Sequence, residues 1–223
     1  MTRSVVGHLI LKDLRLQRMQ IILSIAGGAA ALALVQIKQE VPVMLGAIWF
    51  FLALILLGCF LPSTGVINER KKHNLAFLMS LPISPMQYTW AKIVSTFGMF
   101  LAPWLALVAA ALWLIPAIGI PRGFIPMLLV LAGITLIGFS VITGVAIVGE
   151  SEGWYQAAVI VCNSSYGIAW YLIIRNPQIN HDIGGPVAMW RPVVLTLLAA
   201  ELAGVVLVLV LTFFLQSRKR DFI

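Results

Sequence analysis

Six apolar runs recur along the chain, near residues 20–37, 42–63, 92–116, 123–148, 154–174 and 192–216, and that repetition leaves few folds open. A helix needs about 20 consecutive apolar residues to cross a bilayer, because each backbone N–H and C=O must be satisfied without water. The pattern therefore predicts an all-α membrane protein with six transmembrane helices in a single domain, residues 1–223. Composition points the same way: 61% of the residues are hydrophobic and 10% charged, with a mean hydropathy of +1.02. Soluble domains are about half apolar and about a quarter charged. Eight Asp and Glu with 15 Lys and Arg are too few to cover a water-facing surface.

An even number of crossings places both termini on one side. With the termini inside, 11 cations fall in the cytoplasm, namely Arg3, Lys12, Arg15, Arg18, Arg70, Lys71, Lys72, Lys92, Arg218, Lys219 and Arg220. Four remain outside: Lys38, Arg122, Arg175 and Arg191. Cytoplasmic segments carry the excess of Lys and Arg, so both termini are expected to be cytoplasmic. Aromatics fall into two belts that agree, Tyr88, Trp90, Trp154 and Tyr155 at the inner interface and Trp113, Trp170, Tyr171 and Trp190 at the outer one.

The net charge of +7 is thus spread over short segments between helices. It does not form the one-faced basic patch that nucleic-acid binding requires, and no nucleic-acid partner is expected. Cys59 and Cys162 lie inside apolar runs, which offers neither a disulfide framework nor a metal-binding CxxC.

The first 19 residues hold Arg3, Lys12, Asp13, Arg15 and Arg18 and lack the apolar core of a cleavable signal, so the amino terminus is expected to be retained. Val6, Ile10 and Leu14 repeat at helical spacing, while His8, Lys12 and Arg15 occupy another face. This predicts an amphipathic interfacial helix over residues 1–19. Pro103 predicts a kink in the third span. The last outer segment, Arg175 to Arg191, has an apolar half from Ile183 to Trp190 that fits a re-entrant piece.

Catalysis inside a bilayer requires a nucleophile, a metal set or a carboxylate pair at depth. His8, His73 and His181 are scattered, and HExxH, GxSxG and GxxxxGK[ST] are all absent from the sequence. Glu150 and Glu152 are the one dense acidic pair, in a tight inner loop where solvated charges are ordinary. The chain is therefore read as no enzyme, without a P-loop or a metal site of its own.

The most informative segment joins spans two and three, running from Glu69 through Arg70, Lys71, Lys72 and His73 to Lys92. Charged or titratable residues open it, Leu75, Leu78, Met79 and Leu81 form an apolar stripe, and Leu81-Pro82 stops a helix because the residue before proline avoids the helical region. A short amphipathic cytoplasmic helix is predicted within a loop over 66–90, and its stripe must pack on helix ends or on a partner.

These residues resemble the first inner loop of ABC-2 type ABC transporter permeases. There an acid and several polar residues precede Leu-x-x-Leu-x-Ser-Leu-Pro-Ile-Ser, and Ala-Lys opens the third helix. The matching positions are Glu69, Leu75, Leu78, Ser80, Leu81, Pro82, Ile83, Ser84, Ala91 and Lys92. Leu11-Lys-Asp-Leu-Arg-Leu-Gln-Arg18, the six spans and the inside termini also match.

The resemblance implies a permease subunit of a prokaryotic cytoplasmic-membrane exporter. It implies pairing with a second copy or a homologous permease, and with two separate ABC ATPase subunits that bind ATP and Mg, so that this chain itself holds no cofactor. Residues Lys72 to Ser80 would be the coupling helix. Glu69, Arg70, Lys72, His73, Leu75, Leu78, Met79, Ser80, Leu81 and Pro82 would form the ATPase contact, with Glu150, Ser151 and Glu152 as a second one, and residues 1–19 would be the connecting helix. The implied cargo is hydrophobic or amphipathic: a drug, a lipid-like molecule, or an antimicrobial or toxin peptide.

One carboxylate sits at membrane depth. Glu201 lies nine residues into the sixth span, roughly 13 Å below its outer end. A carboxylate facing lipid is costly, so Glu201 should face protein or a wet cavity. Asn163, Ser164, Ser165 and Tyr166 of span five stand at a similar level, and a hydrogen-bonded patch between spans five and six is expected. Two roles remain open for Glu201, helix packing or lining a path for cationic cargo. Gly27, Gly28, Ala29 and Ala30 in span one and Gly133, Gly138 and Gly144 in span four permit close helix approach, for dimerisation or for internal packing. The rival to a permease is a non-transporting membrane scaffold or immunity protein with the same basic inner loop.

Overall fold

The computed structural model describes residues 2–37, 39–71, 85–149 and 151–218. The described residues are helical almost throughout and contain no strand. The order is α1 (Thr2–Val35), α2 (Glu40–Pro62), a π-helical segment (Ser63–Ile67), α3 (Asn68–Lys71), α4 (Pro85–Ala117), α5 (Phe124–Val148), α6 (Glu152–Arg175), the short α7 (Pro177–Ile183) and α8 (Pro192–Arg218). Six stretches are long and apolar enough to span a membrane: Leu11–Val35, Glu40–Ile67, Met86–Ala117, Phe124–Val148, Glu152–Arg175 and Pro192–Arg218. The chain is a multi-pass helical membrane protein. Six successive crossings bring residues 2 and 218 to one end of the bundle, here the terminal end; α7 lies at the other, the capped end.

α5 is the central helix. It has no ionisable side chain, its glycines admit neighbours, and it packs against α2, α4, α6 and α8. α6 and α8 flank it with most of their apolar surface facing outward, as helices bordering lipid do. Phe100 stacks on Phe139 at 3.9 Å with ring planes 8° apart, joining α4 to α5 at mid-height beneath Leu57, Leu61 and Met99. Nearer the capped end, Phe50, Phe51, Leu54, Leu107 and Leu131 form the largest core cluster.

Close backbone approach explains several glycines. A Cβ on Gly46 would stand 2.8 Å from the Ala31 carbonyl oxygen, and one on Gly28 would meet Leu107 at 2.6 Å. At Gly28, Gly133 and Gly144 the small residue serves packing inside the chain, α1 on α4 and α5 on α8.

Three stretches give the sequence expectations a definite structural form. α1 runs unbroken for 34 residues, about 51 Å, so the interfacial helix expected over 1–19 and the span expected from 20 form one continuous helix. Its sequence has no proline, and Asp13 and Gln17 are buried against the bundle instead of lying along a surface. The loop expected over 66–90 is shorter, since helix continues through Lys71 and α4 begins at Pro85, leaving Lys92 two turns inside α4. Its predicted coupling helix, with Lys72, His73, Leu75, Leu78, Met79, Ser80, Leu81 and Pro82, lies outside the described residues, as does Glu150. Lastly, Arg175 to Arg191 forms α7 and a turn, with Asn176 Oδ1 accepting from Gln178 N at 3.0 Å as the helix cap and Pro177 in the first turn.

Candidate functional site

At the terminal end, four charges from three helices converge. Lys92 Nζ of α4 stands 2.8 Å from Asp13 Oδ2 of α1 and 2.8 Å from Glu69 Oε2 of α3. Lys12 Nζ donates to Glu69 Oε1 at 2.5 Å, Tyr88 OH to Glu69 Oε2 at 3.1 Å, and Ser95 Oγ to Asp13 Oδ2 at 3.2 Å. Two ammoniums face two carboxylates, so the cluster is formally neutral. Lys92 and Asp13 are each 2% exposed and Glu69 is 7% exposed, while Lys12 reaches solvent. Burial pushes the Glu69 carboxyl up, but the Lys92 ammonium and then Lys12 more than reverse this and hold it below the usual carboxylate range.

Local structure delivers these groups. Asp13, Gln17, Gln20, Ser24 and Gly28 follow each other at three- and four-residue steps, making one polar, small face of α1 that looks into the bundle. The π-helical segment closes the end of α2. Gln17 Nε2 donates to the Leu61 carbonyl at 3.2 Å and Tyr155 OH to the Cys59 carbonyl at 2.5 Å, so α1 and α6 both grip the backbone just before it. Gly65 leaves the space, since a Cβ there would lie 2.4 Å from Gln17 Nε2. Single π turns inside α-helices recur at functional sites. α3 follows this one directly and carries Glu69, which pairs with Lys92.

The remaining predicted residues are placed separately. Arg70 belongs to α3. Ser151 caps α6, its Oγ accepting from Trp154 N at 3.4 Å, and the exposed Glu152 follows in the first turn, bonded by Gln156 Nε2 at 3.4 Å.

The expected patch between Glu201 and span five is not formed. Glu201 turns to α5, where Gly133 makes room: a Cβ on Gly133 would sit 1.9 Å from Glu201 Oε2. Asn163, Ser164 and Ser165 are exposed on α6, with Asn163 Nδ2 3.8 Å from Cys59 Sγ. Tyr166 packs its ring beside Phe51 and Trp170. Glycines of α5 admit this pairing, since side chains of α8 enter at Gly133 and Gly144, where α5 has none.

A second feature lies near the capped end. An apolar cavity of about 340 Å³ opens between α1, α2, α4 and α5, lined by Leu32, Phe50, Phe51, Leu114 and Met127 among others, with Gln39 and Glu40 at its rim. Among the described residues no three His, Cys, Asp or Glu side chains converge as a metal-ligand set.

Sequence reasoning singled out Glu69 and Lys92 but assigned no role to Asp13. The available signal was an acid within a basic stretch, in register with Gln17 and Ser24 on one helical face. Compared with protein-family models, with curated proteins and with solved structures, the chain matches none of them.

Proposed function

We propose that this chain is the permease subunit of an ABC-2 type exporter, moving a hydrophobic or amphipathic cargo across a prokaryotic cytoplasmic membrane with ATP hydrolysed on two separate ABC ATPase subunits. In this reading the termini and residues 72–84 face the cytoplasm, and a second permease copy or a homologue completes the transport unit. One observation carries it: the two stems of the inner loop are bound to each other, Glu69 to Lys92 at 2.8 Å, and both are bound to α1 through Lys12 and Asp13. A push on the intervening segment would reach spans one, two and three as one body.

A moving loop transmits work only if its partner binds two loop positions differently. A rigid charged clamp at the stems keeps such a displacement from being absorbed locally. The apolar stripe of Leu75, Leu78, Met79 and Leu81 would seat in the ATPase, with Ser151 and Glu152 close by as the second contact. The cavity beside Phe50 and Leu114 has the size and apolar lining of small-molecule pockets, which supports an apolar cargo.

The test is a mild-detergent purification from native membranes, identifying bound proteins and assaying ATPase activity, with Leu78→Asp as the comparison. A P-loop ATPase that co-purifies and is released by Leu78→Asp supports the reading. An intact, monodisperse preparation with no ATPase bound overturns it in favour of the scaffold or immunity reading.

A further inference from the structure

Glu201 is 7% exposed, and its Oε2 accepts no hydrogen bond among the described residues. It stands about 14 Å along α8 from Pro192, at membrane depth. The elements around it offer no counter-charge. α5 has no titratable side chain from Phe124 to Val148, and on α8 itself the other ionisable group is Arg218, about 25 Å away along the helix.

α4 touches α8 near the terminal end, where Trp90 meets Phe213 at 4.3 Å; its Lys92 is committed to Asp13 and Glu69, and its Tyr88 to Glu69. On α6, Cys162 lies on the Gly138 side of α5, and Tyr166 packs toward Phe51 of α2. An ionised carboxylate with an oxygen unpartnered in this setting is strongly disfavoured, whereas a neutral carboxylic acid is tolerated.

The contact with Gly133 adds a mechanical consequence. Oε2 fills the place that a side chain would take on α5, with no space for water between them. Further along the same seam the helices stay in contact: a Cβ on Gly144 would lie 2.6 Å from Thr212 Oγ1, too close to fit unchanged, and one on Gly204 would make ordinary contact with Ile137 Cδ1 at 3.6 Å. A carboxylate formed at Glu201 needs hydration at Oε2, and the contact with Gly133 leaves no room for it there.

We propose that Glu201 is a proton-binding site inside the membrane, protonated while α5 and α8 are packed together, and that loss of its proton parts the two helices. A proton fits the site better than a metal ion, since among the described residues no set of three His, Cys, Asp or Glu side chains converges to ligate one. The proposal is independent of the permease assignment.

Dicyclohexylcarbodiimide, a hydrophobic carbodiimide, tests it on the full chain in lipid vesicles. The protonated carboxyl adds across a C=N bond to give an O-acylisourea that rearranges to a stable N-acylurea, with the carboxyl proton retained on nitrogen and no group leaving. Peptide mass spectrometry then reads which of the eight acidic residues carries the adduct.

The expected result is labelling at Glu201 that falls about tenfold per pH unit above its midpoint, with little labelling at Glu40, Glu152 or Asp182. Hydrogen exchange over residues 192–218 should rise across the same pH range in the wild type and not in Glu201→Gln. Absent labelling at Glu201, labelling that ignores pH, or exchange identical in the two proteins at every pH overturns the proposal. The labelling arm needs only the wild-type chain and stands even where Glu201→Gln folds poorly.

Discussion

Lys92 and Asp13, 79 residues apart in sequence, form an ion pair at 2.8 Å with each side chain almost wholly removed from solvent. Lys92 pairs equally closely with Glu69, so one ammonium joins the first, second and third spans at a single point. Buried ion pairs add little net stability over apolar packing, because desolvation offsets their attraction. What they impose is register: the charges are satisfied only when the three helices are aligned.

Removing the ammonium should therefore be costly in a way that removing the whole cluster is not. Lys92→Met leaves two carboxylates without their common partner, and a loss of about 3–5 kcal/mol is expected. Lys12→Ala removes a half-exposed group and should cost about 0.2–1 kcal/mol. Adding Asp13→Asn and Glu69→Gln to Lys92→Met should recover much of the loss. Denaturant unfolding in detergent micelles measures all three, and a Lys92→Met protein as stable as wild type would remove the clamp from the account.

The same cluster gives the fold an acid limit. The folded Glu69 carboxyl is held below its unfolded value by Lys92 and Lys12, so its stabilisation is fully present above the unfolded value, about 4.3. It is lost as the pH falls through the folded value. The melting temperature should thus be insensitive to this group at neutral pH and begin to fall below about pH 4.3. Glu69→Gln should flatten that acid limb while lowering stability at pH 7. Thermal unfolding followed by tryptophan fluorescence across pH 3–8 reads both, and an unchanged acid limb in the variant would refute it.

The spans were legible because a run of about 20 apolar residues has few alternatives in water or lipid. What sequence missed depends on contacts between distant segments. Asp13 looks like one more charge in a basic flank until Lys92 is brought to it. The π turn at Ser63–Ile67 follows from Gln17 and Tyr155 capturing carbonyls of α2, a consequence of tertiary packing that local spacing does not encode. Glu201 had several helices at its own depth to choose from. Its true neighbour is marked by Gly133, a residue whose signal is the absence of a side chain.

Gly65 tests how tightly the π turn is tuned. A methyl group there meets Gln17 Nε2 at 2.4 Å and must push the amide off the Leu61 carbonyl. Gln17 is 1% exposed, so its displaced amide is left buried without a partner, and Gly65→Ala should cost about 1–3 kcal/mol. Gln17→Leu alone removes the same hydrogen bond but leaves no orphaned amide. The double variant should then be less destabilised than the sum of the two singles, a coupling that a double-mutant cycle in micelles detects. Strict additivity would show that Gly65 and Gln17 do not act through one contact.

At the capped end the tie is between Asp182 and Arg191. Arg191 donates to Asp182 through both Nε and Nη2, and the guanidinium holds the carboxyl down at about 2. Gly123 completes the arrangement: its N–H donates to the Gly185 carbonyl at 3.1 Å, and a Cβ there would run into the Asp182 carbonyl, which is backbone and has little room to yield. Gly123→Ala should therefore lift the α7 turn from the α4–α5 connection and expose residues 177–191 to protease, while Asp182→Asn should do so less. Because the folded Asp182 value lies below the unfolded one, about 3.9, its contribution is present above that value and is lost only as the pH falls toward 2. Limited proteolysis of vesicles at pH 7 and pH 5 should then give the same wild-type pattern at both values, and faster cleavage in this segment for Gly123→Ala at each. Equal cleavage of wild type and Gly123→Ala would mean that the turn is held by something other than this close approach.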